Sequence, residues 1–175
     1  MLLRASQDAD VPAIAAIYAH YVRHTTASFE TEPPGDAEIA DRRARILELG
    51  LPWLVAESDG AIAGYAYAGP YRPRGAYRFT VENSIYLDPA CAGKGIGSAL
   101  LALLIEDCEA WGARQMIAVI GGSDNLASIK LHQKFGFRHT GTLVAAGFKF
   151  GRWVDSVLMQ RAIGPGDTIP PDAAR

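Results

Sequence analysis

Residues 89–101 read PACAGKGIGSALL. Before them lies 79–87 (FTVENSIYL), which reads as a central strand, and after them an apolar stretch to Trp111. A β-rich segment, a turn holding Gly93, Gly95 and Gly97, and a long helix from about Ser98 to Trp111 therefore follow one another. Glycines allow unusual backbone dihedrals and close approach of a ligand. A helix N-terminus adds unpaired N–H groups and the positive end of the helix dipole, so the turn suits a pyrophosphate. Two familiar phosphate loops do not fit. Lys94 is followed by Gly95 rather than by Ser or Thr, which excludes a P-loop. The position where a dinucleotide fingerprint needs its third glycine is Leu100, and no acidic residue falls near 117. A tight turn without a ligand remains open on the glycines alone.

Toward the N-terminus, residues 10–24 read as an amphipathic helix opened by Asp8, Asp10 and Pro12. A loop at 32–36 precedes a second helix that stops near Leu49, at Gly50 and Pro52. Strands at 53–57 and 61–67 flank Asp59-Gly60, a strong hairpin signal. Residues 70–75 form a loop with Arg72 and Arg74. A short strand at 115–120, a helix at 125–135 and two strands near 142–150 and 153–161 complete the pattern. The order predicts a layered α/β fold, residues 1–163 forming one domain and the Gly- and Pro-bearing tail 164–175 disordered.

Composition narrows the function. The 175-residue chain carries a net charge of −2 with scattered lysines and arginines, which argues against a nucleic-acid surface. No apolar run approaches the roughly 18 residues of a membrane span, and the N-terminus carries early polar residues, so a cytoplasmic protein is expected. Cys91 and Cys108 suggest neither a disulfide framework nor a metal site. The His20/His24 pair lacks an acidic third ligand and reads as a helix surface.

The stretch 89–101 resembles the coenzyme-binding motif of the GNAT superfamily of N-acetyltransferases, whose turn wraps the pyrophosphate of acetyl-CoA. Ala92 stands where an Arg or Gln is usual, which removes a side chain but no backbone donor. NLASIKLHQKFGF, 125–137, is similar to that family's second coenzyme segment. Asn125 matches its coenzyme contact and also suits a plain helix N-cap. The resemblance spans about 3–161. It is tightest with the phosphinothricin and methionine sulfoximine (or sulfone) N-acetyltransferases, in WLVAE (53–57), YAYAGPYRPRGAYRFTVENSIYL (65–87) and GTLVAAGFKFGRWVDSVLMQR (141–161). Tyr77-Arg78-Phe79 leans toward the sulfoximine branch.

The resemblance implies a GNAT fold, a central mixed, mostly antiparallel twisted sheet flanked by helices. It implies acetyl-CoA as co-substrate, no metal, and a small amino acid as acetyl acceptor. The implied coenzyme contacts are Ile85, Tyr86, Leu87, Gly93, Lys94, Gly95, Ile96, Gly97, Ser98 and Asn125. Backbone N–H groups near 85–87 would face the thioester carbonyl as charge develops on it. Amine acetylation needs a base, and a carboxylate inside a central strand needs a job or a partner; the resemblance puts the general base, or the partner that holds its water, at Glu82. His132 takes the place of the family's acidic Tyr, as proton donor to the leaving thiolate or as a passive coenzyme contact. Arg72, Gly75, Ala76, Tyr77 and Arg78 join Glu82 on the acceptor side, where Arg grips a carboxylate. Phe29, Tyr77 and Trp153 are candidate pocket walls, and 149–153 resembles a dimer segment, so a homodimer is expected. Two rival functions stay open: a protein N-terminal or lysine acetyltransferase, and a non-catalytic acetyl-CoA sensor.

Overall fold

The computed structural model describes residues 1–171. Residues 172–175, the end of the expected disordered tail, lie outside the described residues. The strands are β1 (Leu2–Ala5), β2 (Trp53–Ser58), β3 (Ala61–Pro70), β4 (Thr80–Leu87), β5 (Gln115–Gly121), β6 (Arg138–Lys149) and β7 (Arg152–Ala162). The helices are α1 (Val11–His24), α2 (Asp36–Glu48), α3 (Ile96–Trp111) and α4 (Leu126–Lys134). The strands form one sheet in the order β1-β2-β3-β4-β5-β7-β6. Only the β4–β5 pair is parallel among the described strands. That is the mixed, mostly antiparallel sheet the resemblance implies.

The sheet separates two apolar layers. On one face, α3 lays Leu100, Leu101, Leu104, Ile105 and Cys108 against Ala66, Ala68, Val81, Met116 and Ala118. Their spacing keeps one stripe of the helix on the sheet. On the other, α1 buries Ile14, Ile17, Tyr18 and Val22 against Trp53, Val55 and Tyr65. Trp53 and Tyr67 stack there with ring centroids 4.2 Å apart. Such flat pairs bury large apolar area and hold the sheet rigid beneath the helix.

Several boundaries differ from the sequence reading. Strand β1 escapes it, because four residues carry too little alternation, yet Leu2 to Ala5 pair with Glu57 to Leu54. Helix α3 starts at Ile96 rather than Ser98, so Gly97 is a helical residue and not part of the turn. Residues 164–171 form turns held to the domain, with the Arg114 guanidinium donating to the carbonyl oxygens of Gly166, Ile169 and Pro170.

One feature of the sheet positions the site. Strands β4 and β5 pair in parallel from Thr80–Gln115 to Asn83–Ala118 and then part. Beyond that point β4 still pairs with β3 and β5 with β7. A gap therefore opens in the middle of the sheet, with its apex at Asn83.

Candidate active site

The gap is the mouth of a cleft of about 580 Å³. Asn83 to Leu87 line one side and Ala118 to Gly121 the other. Gly93, Gly95, Ile96, Gly97 and Ser98 close one end, while Asn125, Ser128, Leu131 and His132 cover it from α4. Of the ten residues expected to hold coenzyme, nine line this cleft; Lys94 is not among its lining.

The turn has the geometry a pyrophosphate needs. Gly93 and Gly95 sit at φ +77° and +82°, a region L side chains rarely adopt. Gly95 is the N-cap of α3, so the helix's first amide groups and its positive dipole end face outward there. A Cβ on Gly95 would meet no protein atom within 4 Å, so the space it would claim is open cleft. Gly95→Val is expected to weaken coenzyme binding by more than about tenfold, through backbone strain and intrusion on the phosphate space. Isothermal calorimetry with acetyl-CoA measures this, and an unchanged Kd would move the phosphate site elsewhere. Two lysines that the sequence reading passed over, Lys130 and Lys134, also line the cleft from α4. Their i, i+4 spacing on the helix after Asn125 was the available signal. Asn125 caps α4, its Oδ1 accepting from the Ser128 N–H at 3.3 Å, and lines the cleft as well.

The exposed edge of β4 offers backbone groups to the cleft. Asp88 N–H donates to Ala63 O across the β3 side. Alternation then turns the odd-numbered amides, Ile85 and Leu87, toward the parted β5. The Tyr21 hydroxyl stands at the second of these. It donates to Leu87 O at 2.9 Å and accepts from Leu87 N–H at 3.3 Å. Tyr21 thus substitutes for the departed strand at Leu87, and Ile85 N–H is left directed into the gap. The expectation of donors anywhere in 85–87 narrows accordingly to Ile85. Nothing in the helical pattern of α1 marked Tyr21 for this place.

Side chains of β4 alternate between the faces of the sheet. Val81 belongs to the α3 layer and Tyr86 to the α1 layer. Glu82 therefore lies on the α1 side and Asn83 on the α4 side. Glu82 is half-buried, and loss of hydration pushes its pKa above the usual carboxylate range. The positive charge of Arg72 opposes that rise. Glu82 is outside the cleft lining but adjacent to Asn83, which lines it.

His132 is buried beneath the apex of the gap. Its Nδ1 lies 2.8 Å from Ser128 O and its Nε2 2.9 Å from Asn83 Oδ1. Phe137 packs edge-on against the ring. Burial pushes the His132 pKa down, and the bond to the Ser128 carbonyl pushes it back in part.

The acceptor-side residues do not all converge. Arg72 lies over the Tyr71 ring, and its charge reaches Glu82. Arg78 instead folds over Phe79 and donates to Gly75 O. Gly75, Ala76 and Tyr77 form an exposed helical turn outside the cleft. Phe29 reaches in from the loop between α1 and α2. Its ring packs over Gly121 and Gly147, where a Cβ would collide with it or with the Thr26 carbonyl. Trp153 is exposed and packs edge-on against Phe148 at the β6–β7 hairpin. Among the described residues no group of three or more His, Cys, Asp or Glu is placed to hold a metal.

Known proteins carry the same plan. The chain is 55% identical over 170 residues to the phosphinothricin N-acetyltransferase of Alcaligenes faecalis, covering 97% of this chain and 86% of that one. It is 43% identical over 161 residues to the L-methionine sulfoximine/L-methionine sulfone acetyltransferase of Salmonella typhimurium, covering 91% and 93%. The crystal structure of a GNAT superfamily phosphinothricin acetyltransferase from Sinorhizobium meliloti in complex with acetyl-CoA superposes with a TM-score of 0.96 at 47% identity, over 99% and 94% of the two chains. The model of the acetyltransferase (GNAT) family matches residues 14–137, the span that holds the parted strands, the glycine turn and α4. The chain belongs to the GNAT family of acetyltransferases and is an acetyl-CoA-dependent N-acetyltransferase.

Proposed function

We propose that this enzyme acetylates the α-amine of a small free amino acid with a compact polar side-chain head, such as methionine sulfoximine, methionine sulfone or phosphinothricin. The observation that carries the reading is the placement of Glu82 and His132 on opposite faces of β4 at the apex of the gap. An extended ligand carrying amides can add to the free edge of a strand. The pantetheine arm of acetyl-CoA has that character. Its thioester then lies near Ile85 N–H, which stabilises charge developing on the carbonyl oxygen. The amine arrives from the α1 face, where Glu82 accepts its proton. The sulfur departs toward α4, where His132 lies. Base and acid therefore never compete for one position, and attack is direct, with no acyl-enzyme required.

Arg72, whose charge acts on Glu82, supplies an exposed cation for the carboxylate of an α-amino acid on the side of the base. The homologues' named substrates are small amino-acid analogues, in keeping with this. The apolar, exposed β6–β7 hairpin, with Leu143, Val144, Phe148, Phe150 and Trp153, supports a homodimer through that edge. Small amines rather than peptides are the expected acceptors. A coenzyme-release assay over free amino acids, matched amides and short peptides tests the reading. Turnover only with peptides would replace it with a protein acetyltransferase, and no turnover with any amine would leave a coenzyme sensor.

His132→Phe is expected to lower kcat by about tenfold or more while leaving the amine KM nearly unchanged, since the ring sits on the leaving-group side. An acetyl thioester of a more acidic thiol should restore the rate, because its thiolate leaves without a proton. Absence of rescue would assign His132 to packing.

A further inference from the structure

The family resemblance gives Asn83 no role, yet it stands where β4 and β5 part. It is the last β4 residue to pair with β5 and is nearly fully buried. Its side-chain Nδ2 donates to Ile117 O at 3.1 Å. That bond fixes the carboxamide: turning it over would set Oδ1 against the Ile117 carbonyl, oxygen against oxygen. With the amide so held, Oδ1 faces His132 Nε2 at 2.9 Å, and an oxygen there accepts only from an N–H. At the other ring nitrogen, Ser128 O stands 2.8 Å away and is also an acceptor. A neutral imidazole has one N–H and leaves one of these short contacts with no hydrogen in it. A doubly protonated ring satisfies both.

We propose that Asn83 is a positioning residue that keeps a proton on Nε2 of His132, the proton delivered to the departing sulfur. This rests on the acetyl-transfer reading for the step itself, but not for the state of the resting ring. The step balances. When the C–S bond breaks, its electron pair goes to sulfur, which takes the Nε2 proton. His132 is left with Nδ1–H on Ser128 O and a lone pair facing Asn83 Oδ1. That unfavourable contact draws a proton back from water. Of the three protons on the incoming ammonium, one stays on the amide product. The other two leave through Glu82 and solvent, and one of them in effect replaces the proton carried off by the thiol.

Burial of the ring opposes the charged form. Two fixed acceptors oppose burial, since hydrogen bonds to the charged form favour it. The ring's hydrogen-bond partners are Asn83 from β4 and Ser128 from α4, and Phe137 packs edge-on against it, none of them charged. The balance therefore depends on Asn83 more than on any ion pair.

The test is ¹⁵N NMR of the histidine rings in the free enzyme, with His132→Gln identifying the signal among the four histidines. In the parent enzyme Nε2 of His132 should carry a proton across the pH range of turnover. In Asn83→Leu the Nε2 proton should be lost at lower pH, with kcat falling about tenfold and the amine KM within about twofold. In Asn83→Asp, which keeps the oxygen and adds charge, the proton should persist to higher pH. An Nε2 without a proton across the pH range of turnover overturns the proposal. So does a His132 titration that is the same in parent, Leu and Asp variants, even if activity falls. If Asn83→Leu does not fold, the parent and the Asp variant still decide it. Because no substrate is present, the ring's state is read independently of which amine the enzyme accepts.

Discussion

Glu82→Gln is expected to lower kcat/KM for the amine by about 10²- to 10⁴-fold, the range for losing an acid–base group. Acetyl-CoA affinity should stay unchanged, because Glu82 lies outside the cleft that the coenzyme residues line. The pH dependence separates a base from a bystander. Burial raises the Glu82 pKa above the usual carboxylate range, so the parent's kcat/KM should rise as pH climbs through that elevated value. The variant lacks this limb. Its deficit should shrink at alkaline pH, where the amine is already neutral. Parallel pH profiles for the two enzymes would remove Glu82 from proton transfer.

Stability gives a second, independent readout. A carboxyl whose folded pKa is raised holds its proton more tightly in the folded state than in the unfolded one. Its contribution is then full at acid pH and is lost as pH rises through the folded value. At neutral pH the ionised Glu82 is thus a burden on the fold. The isosteric Glu82→Gln should match or exceed the parent's Tm at pH 7 while being far less active. That pairing of lost rate with kept stability is what a functional carboxylate predicts. A large fall in Tm would make Glu82 a structural group instead.

The sequence carried the architecture well where long periodic segments met strong punctuation. Helices α1 and α3, the Asp59-Gly60 hairpin and the order of elements were legible for that reason. Strand β1 was not, because four residues supply no pattern and its pairing with β2 is a long-range fact. The glycine turn was legible as a turn because three glycines alternate between a strand and a helix, while its link to coenzyme came from the resemblance and not from the glycines. The arginines show where legibility ended. Arg72, Arg74 and Arg78 look equivalent along the chain. In space the charge of one reaches Glu82, while another is folded onto Phe79 and bonded to Gly75 O. Tyr21 and Asn83 were invisible for a similar reason. Each acts by completing hydrogen bonds that exist only because β4 and β5 part, and no local pattern announces a parting.

That distinction among arginines sharpens what the acceptor must look like. Arg72 is exposed and is the cation whose charge acts on Glu82, so it has spare donors for a carboxylate. A substrate carboxylate gripped there sits one carbon from its own amine, which places the amine at the base. A neutral amide in its place loses the charge-assisted pair and leaves the guanidinium facing a poorer acceptor. Free amino acids should therefore exceed their matched amides and decarboxylated analogues by about 10²-fold in kcat/KM. Arg72→Ala should bring acid and amide to within a few-fold of each other, chiefly by lowering the rate with the acid. Arg78→Ala should leave the preference intact, because that side chain is committed to Phe79 and Gly75. A preference that survives Arg72→Ala but falls with Arg78→Ala would require the 75–78 turn to rearrange on binding. A short peptide that outpaces the free amino acid would remove the carboxylate grip altogether, because a peptide's first residue has no free carboxylate to offer.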